Sequence, residues 1–341
     1  MRGLALPAAE ATQLPAFEDL QQAAEWFAVL QAGDASEADR RRWQSWLDAG
    51  PRQRAAWRRV ESISGEFSGL AGLASLPARR VLERGGAAAN RRRSVLRALA
   101  LVPIAGLTGW LASRHVPWHG WVAAHRTETG ERREVVLSDG SRLWLNTGTA
   151  LDVDFSPRLR RIVLYKGEVL ITSGPDDANP SSSHRPLVVD VPQGRLTALG
   201  TRFAVRHEND AAVRLAVLEG AVASHPASGD SLTLVAGQQT RLFFDHVEPP
   251  EPAAGYGDDW TRGMLVADGM RLGDFIAELG RYRTGYLGCA PEVADLRLVG
   301  AYPLADTERI LSALQATLPV RVRRPLPWWT VVEAKPHAAT R

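Results

Sequence analysis

The chain has 341 residues, 45% of them hydrophobic and 23% charged, a globular composition with length for two or three domains. A single cysteine, Cys289, excludes an internal disulfide and a thiolate metal cage. The net charge of +3 conceals an asymmetry: 15 Arg stand against 11 acidic residues up to Arg97, and 26 basic against 27 acidic residues beyond it.

Residues 1–65 read as a small helical unit. Leu20, Ala23, Ala24, Phe27 and Leu30 fall at helical spacing over 17–32, and Gly33-Asp34 closes that helix. Ser36 followed by Asp39 is a capping-box arrangement opening a second helix, which carries Trp43, Trp46 and Leu47 on one face. Gly50-Pro51 ends it and opens a third, since proline suits the first helical position; Ala56, Val60 and Ile63 then form its stripe. Four tryptophans, Trp26, Trp43, Trp46 and Trp57, serve this small unit, two as core and the others as candidate anchors for a partner protein. The Arg40–Arg42 and Arg58-Arg59 runs read as solvated helix faces. From Ser64 the pattern loosens into Gly, Ser, Ala and Arg, so 66–94 reads as a flexible linker.

Arg91-Arg92-Arg93 and Arg97 precede an uncharged stretch from Ala98 to Ser113 that ends at Arg114. A membrane-spanning helix needs about 20 residues at a rise of about 1.5 Å each, and 95–114 reaches that length if Arg97 snorkels to the headgroups. The cationic cluster predicts an N-terminus on the cytoplasmic side, with Trp110, Trp118 and Trp121 near the far interface. The expected location is thus the bacterial inner membrane, crossed once, with the C-terminal part in the periplasm. Met1–Leu20 has no continuous apolar core, so no signal peptide is expected there.

Over 121–247 the period changes from helical to two. Ser138-Asp139-Gly140-Ser141 separates alternating runs, a hairpin signal whose Asp-Gly pair is suited to positive φ at both turn residues. Short apolar runs follow at 151–155, 162–165, 169–171, 187–191, 203–205, 213–218 and 232–235, which predicts an all-β sandwich or roll. Leu164–Val169 and Val217–Val222 echo each other around Gly167 and Gly220. Asp176-Asp177 reads as a solvated turn. A Pro/Gly-rich boundary at 248–257 leads into 258–335, where strand and helix alternate as in a split β-α-β module: strands at 263–267, 296–299, 320–323 and 329–333, helices at 271–283 and after Asp306. No phosphate loop, nucleophile elbow or metal-ligand spacing occurs, so no cofactor, metal or metabolic enzyme activity is expected.

The chain resembles FecR-type transmembrane anti-sigma factors of cell-surface signalling. At the N-terminus the resemblance lies in Ala24-x-Trp26, Gly33, Arg41–Trp43, Trp46-Leu47 and Ala55-Ala56-Trp57. In the middle it lies in Gly130-Glu131-Arg132, Leu137–Ser141, Leu145-Asn146, Gly167-Glu168-Val169 and Leu199–Phe203. At the C-terminus Trp260-x-x-Gly263 and the β-α-β pattern look like the family's secretin/TonB short N-terminal-like domain. The resemblance implies a multidomain protein with an extracytoplasmic-function sigma factor bound by the N-terminal helices, through Trp26, Trp43, Trp46 and Trp57. It also implies a periplasmic contact with the signalling domain of a TonB-dependent outer-membrane receptor for a ferric siderophore or haem. Periplasmic and intramembrane proteases are further implied partners, and Pro103 and Gly106 would loosen the spanning helix for the latter. Family members can cleave themselves at a Gly-Thr bond, here Gly200-Thr201: a Thr hydroxyl attacks the preceding carbonyl, and the ester so formed hydrolyses more readily than the amide. The competing reading, a membrane-anchored regulator whose basic helices bind DNA directly, has against it the Trp-rich second and third helices and the lack of a wing hairpin; no direct nucleic-acid contact is expected.

Overall fold

The computed structural model describes residues 15–31, 36–74, 123–176, 185–253 and 258–336. Helices α1 (Phe17–Gln31), α2 (Glu37–Asp48) and α3 (Pro51–Ala74) follow the apolar stripes of the sequence. Leu20, Ala23 and Ala24 of α1 are buried against Ala56, Val60 and Ile63 of α3, while α2 buries no residue fully. Ser36 caps α2 reciprocally: its Oγ accepts the Asp39 amide at 3.1 Å and the Asp39 carboxylate accepts the Ser36 amide at 3.1 Å. Residues 66–74, expected as part of a flexible linker, are instead the end of α3, which continues to Ala74; the rest of that expected linker, 75–94, lies outside the described residues. Gly65, Gly69 and Gly72 each cost a helix about 1 kcal/mol against alanine but remove no donor, and the first proline comes only at Pro77. The candidate span 95–114 lies outside the described residues; among those described, no helix is long and apolar enough to cross a membrane.

The middle of the chain is a β-sandwich. One sheet runs in the order β1 (His125–Arg126), β4 (Ala150–Phe155), β5 (Arg160–Lys166), β7 (Leu187–Val191), β8 (Gly194–Ala198), β11 (Ala221–Pro226), β12 (Leu232–Val235). The other runs β14 (Glu251–Pro252), β13 (Gln238–Leu242), β10 (Val213–Glu219), β9 (Arg202–His207), β6 (Glu168–Thr172), β3 (Arg142–Leu145), β2 (Arg133–Val136). All pairs are antiparallel except β5 with β7. Leu143, Leu145, Val169, Ile171, Phe203, Val205 and Leu215 of the second sheet meet Leu151, Ile162, Leu164, Val189, Leu196 and Val222 of the first in one buried core.

The echo in the sequence is a structural corner. β5 and β6 are joined by Gly167 alone, and β10 and β11 by Gly220 alone; each time the chain crosses from one sheet to the other, in opposite directions. Both glycines have positive φ (86° and 76°), and a Cβ on either would lie within 2.5 Å of another chain segment. The predicted hairpin forms from β2 and β3, with Val136 opposite Arg142. Its turn differs from the expected mirror-image type: Gly140 alone has positive φ, at 82°. Asp139 is instead held by hydrogen bonds to the Ser141 amide (3.0 Å) and hydroxyl (2.6 Å) and by an ion pair with Arg160.

The C-terminal module contains β15 (Met264–Arg271) paired with β17 (Arg297–Pro303), a sheet ordered β16 (Tyr286–Cys289), β19 (Trp329–Ala334), β18 (Val320–Leu326), and helices α4 (Leu272–Gly280) and α5 (Thr307–Thr317). β16 lies parallel to β19, so the split β-α-β connection is made by a strand that the apolar pattern of the sequence does not reveal. Asp306 caps α5 through the Arg309 amide at 2.9 Å. The module is not a separate bead. Leu170, Ala204 and the half-buried Trp144 point away from the sandwich core and join Trp260, Leu279 and Tyr282 in the module's own core, so the second sheet is covered on both faces.

Asp139 and Arg160 are respectively 0% and 2% exposed at the side chain, 2.8 Å apart. Removing one partner strands the other charge in a dry site, so Asp139→Ala is expected to lower the stability of the sandwich by about 3–5 kcal/mol. Urea unfolding of the variant beside wild type measures this; a loss under about 1 kcal/mol would mean that water reaches Arg160.

Candidate functional site

Three places bring the sequence-predicted residues together. The first is the corner at Gly200-Thr201, which joins β8 of one sheet to β9 of the other. Gly200 is exposed with φ of 79°, a left-handed conformation open to glycine. Thr201 is 4% exposed, and its hydroxyl is buried without a hydrogen-bond partner. The Gly200 carbonyl oxygen packs against the neighbouring Gly220 corner, so closely that a Cβ there would come within 2.4 Å of it. The Thr201 amide donates to the Ser173 hydroxyl at 2.8 Å, and the Ser173 amide donates to the Thr201 carbonyl at 2.9 Å. Neither Ser173 nor Gly220 was a site residue in the sequence reading; the Gly167/Gly220 echo was the available signal for the second.

What holds Ser173 is a buried polar network. Gly174 donates its amide to the Ser141 hydroxyl at 2.8 Å, and its carbonyl accepts Arg160 Nη1 at 3.0 Å. Two residues further, Asp176 is buried rather than solvated and pairs with Arg185, nine residues on in the chain. The Arg185 guanidinium and amide donate to the Asp176 carboxylate, which holds its pKa well below the usual carboxylate range, at about 2.

The second place is the helical unit. Trp43 and Trp57 lie 5.1 Å apart between ring centroids, and Phe27 lies 6.0 Å from Trp57. Trp46 donates its indole N–H to Gln22 at 2.7 Å, tying α2 to α1. Trp26, Trp43, Trp46 and Trp57 are all half-buried, so none is a fully enclosed core residue, while Arg40, Arg41, Arg58 and Arg59 are exposed around them. The apolar face of α1 also seats on the C-terminal sheet: Phe27 meets Trp328 edge-on at 5.4 Å, Trp328 meets Trp329 at 5.8 Å, and Trp329 stacks on Tyr286 at 3.9 Å. Trp328 is only 7% exposed under this cover.

The third place is the seam between the sandwich and the C-terminal module. Glu168 is 2% exposed and accepts hydrogen bonds from Asn146 (2.8 Å) and Arg281 (2.6 Å). Asn146 also donates to the Tyr282 hydroxyl at 2.9 Å, Arg281 pairs with Glu278, and Arg206 pairs with Glu278 at 2.8 Å. Burial, first of all, pushes the Tyr282 hydroxyl up to about 12, so it stays a neutral donor and acceptor at ordinary pH. Arg132 donates to the Trp260 carbonyl at 2.9 Å. The cleft above this seam, about 740 Å³ and lined by Glu168, Arg206, Trp260, Glu278 and Tyr282, is floored by ion pairs already satisfied.

Residues 123–223 match the family described as FecR protein, and residues 21–63 match a Domain of unknown function (DUF4880). No curated protein matches the chain. Two crystal structures, at 2.50 and 1.65 Å resolution, of a protein from Parabacteroides distasonis ATCC 8503 described as an anti-sigma factor are 22% identical over 62% of this chain. They are covered to 97% and 98%, with TM-scores of 0.48 and 0.49. The motif resemblance is thus matched over two stretches, the middle of the chain by FecR protein and the helical unit by the DUF4880 domain. The chain has a small helical N-terminal region followed by a β-rich domain that matches FecR protein.

The sign of the Asp176 effect is fixed by its depressed pKa. The pair stabilises the fold above the unfolded carboxylate pKa and loses that contribution as pH falls from about 4 toward 2. Thermal unfolding of wild type should show this acid loss, and Asp176→Asn should remove that part of the pH dependence; an identical pH profile in the variant would rule the pair out as its source.

Proposed function

We propose that this protein is a single-pass inner-membrane regulator that carries a signal from a TonB-dependent outer-membrane receptor to a cytoplasmic extracytoplasmic-function sigma factor. The observation carrying this reading is the order of the parts. A helical module matching the family's N-terminal domain precedes the FecR domain, and between them lies the uncharged stretch from Ala98 to Ser113 behind an arginine cluster. The half-buried Trp43, Trp46 and Trp57, with exposed arginines beside them, give the helical unit an aromatic surface with a cationic rim, the chemistry of a protein-binding hot spot. Iron-siderophore or haem uptake genes are the proposed target, and a site-2-type intramembrane protease the proposed releasing activity. The protein is no enzyme in this reading; cleavage at Gly200-Thr201 is a single intramolecular event, supported by an exposed left-handed glycine beside a buried unpartnered hydroxyl.

The seating of α1 on the C-terminal sheet needs both on one side of any membrane, whereas the proposed topology puts them on opposite sides. The two arrangements exclude each other at one time. In the proposed topology the aromatic face formed by Tyr286, Leu326 and Trp328 loses its α1 cover and faces the periplasm, where a receptor domain can reach it.

Three measurements test the reading. Affinity capture with the tagged full-length chain, with co-purified protein and DNA both identified, should recover one sigma factor that a parallel nuclease treatment does not release, and Trp57→Ala should weaken that capture about tenfold or more, as loss of a hot-spot residue does. Recovery of promoter DNA without a sigma factor would instead establish the DNA-binding alternative. In a Cys289→Ser background, a Phe27→Cys/Trp328→Cys pair should give no disulfide in cells, with position 328 alone labelled by an impermeant thiol reagent; a disulfide would overturn the topology. Wild type should yield two fragments and Thr201→Ala only full-length protein, read by gel and mass.

A further inference from the structure

We propose that the Ser173 hydroxyl is the proton donor that completes cleavage of the Gly200-Thr201 bond. The inference rests on the self-cleavage reading above and adds to it a residue and a role.

The argument starts from the ladder between β6 and β9. Thr172 pairs with Arg202, so Ser173 stands opposite Thr201 one step further along. At such a position the Thr201 amide would ordinarily donate to the Ser173 carbonyl. Here it donates to the Ser173 side-chain oxygen at 2.8 Å, while the Ser173 amide keeps its bond to the Thr201 carbonyl at 2.9 Å. The exchange changes what the partner can do. A carbonyl only accepts, whereas a hydroxyl both accepts and donates. In an acyl shift the Thr201 nitrogen begins as a donor and must end with an extra proton, so its partner has to reverse direction.

The step balances without another reactant. Thr201 Oγ1 bonds to the Gly200 carbonyl carbon, and the bond from that carbon to the Thr201 nitrogen breaks. Ser173 gives its proton to the departing nitrogen and is restored by the proton that Thr201 Oγ1 releases. One water then adds to the ester, leaving a Gly200 carboxylate, a free Thr201 amine and the original hydroxyl. Burial suits this order. Thr201 is 4% exposed, so water is kept from the nucleophile, while Gly200 is exposed and lets water reach the ester. Ser173 is also held in place, because Gly174 fits so tightly that a Cβ would lie 2.4 Å from the Asp139 carbonyl.

The experiment measures fragment formation by the full-length protein over time, between about pH 5 and 9, for wild type, Thr201→Ala, Ser173→Ala and Ser173→Thr, with hydroxylamine added in parallel to trap the ester. Ser173→Ala should slow cleavage about a hundredfold, the low end of general acid catalysis, with the deficit shrinking as pH falls and solvent supplies the proton. Ser173→Thr should recover most of the rate, and hydroxylamine should not rescue Ser173→Ala, because ester formation itself is slowed. If wild type stays intact, the cleavage reading falls and this inference with it. If wild type cleaves, Thr201→Ala does not, and Ser173→Ala cleaves at the wild-type rate, cleavage stands and the role of Ser173 is overturned. A deficit constant with pH, unrecovered by threonine and accompanied by a lower unfolding temperature, would make Ser173 structural and equally overturn it.

Discussion

A guanidinium buried to 2% exposure must have every donor met where it sits, and Arg160 is that group in the sandwich. Its Nη1 donates to Asp139 at 2.8 Å and to the Gly174 carbonyl at 3.0 Å, and its Nε donates to the Arg185 carbonyl at 3.0 Å. These bonds fix, in one stroke, the β2–β3 turn, the chain leaving β6, and the chain entering β7. Because Gly174 is fixed, Ser173 is fixed; because Ser173 is fixed, so is the amide of Thr201. The candidate cleavage corner therefore takes its geometry from a charge pair in a different part of the sandwich, through single hydrogen bonds.

The sequence made the local elements legible wherever one physical period dominated. The capping box at Ser36, the proline opening α3, the β2–β3 hairpin and the Asp306 cap all stand where side-chain chemistry satisfies groups a few residues away. The strands that escaped notice are those with weak apolar alternation. β11 reads Ala-Val-Ala-Ser-His-Pro and β13 reads Gln-Gln-Thr-Arg-Leu, yet each is held by neighbours on both sides of its sheet. β16 is masked by Gly285 and Gly288 and depends on a parallel partner more than forty residues away in the chain, β19. Asp176 looked like a turn residue because its partner, Arg185, is nine residues off and outside any local motif. Of the candidate cleavage corner, Gly200 and Thr201 were legible and Ser173 was not, since the pairing that places it spans 28 residues.

The motif residues that look scattered along the chain meet in space at the seam. Asn146 and Glu168, from two motifs, bond each other; Arg132 and Trp260, from two others, do the same; and a Cβ on Gly263 would strike the Arg132 guanidinium at 2.7 Å. The second sheet is accordingly apolar on both faces, which is why β6 reads as an unbroken Val-Leu-Ile run and not as an alternating strand. The C-terminal module is thus joined to the second sheet by side-chain ion pairs, Arg281 with Glu168 and Glu278 with Arg206.

The aromatic face of the C-terminal module carries the same logic outward. Trp329 is fully buried and stacked on Tyr286, so it belongs to the module itself, but the cover on Trp328 includes Phe27 of α1. An indole of this size beside Leu326 and Tyr286 loses a large favourable burial when its cover leaves. In a chain that crosses the membrane between α3 and the FecR domain, that cover cannot come from its own helices. The face then calls for an apolar cover from the periplasmic side, of the kind that Phe27 of α1 supplies by meeting Trp328 edge-on.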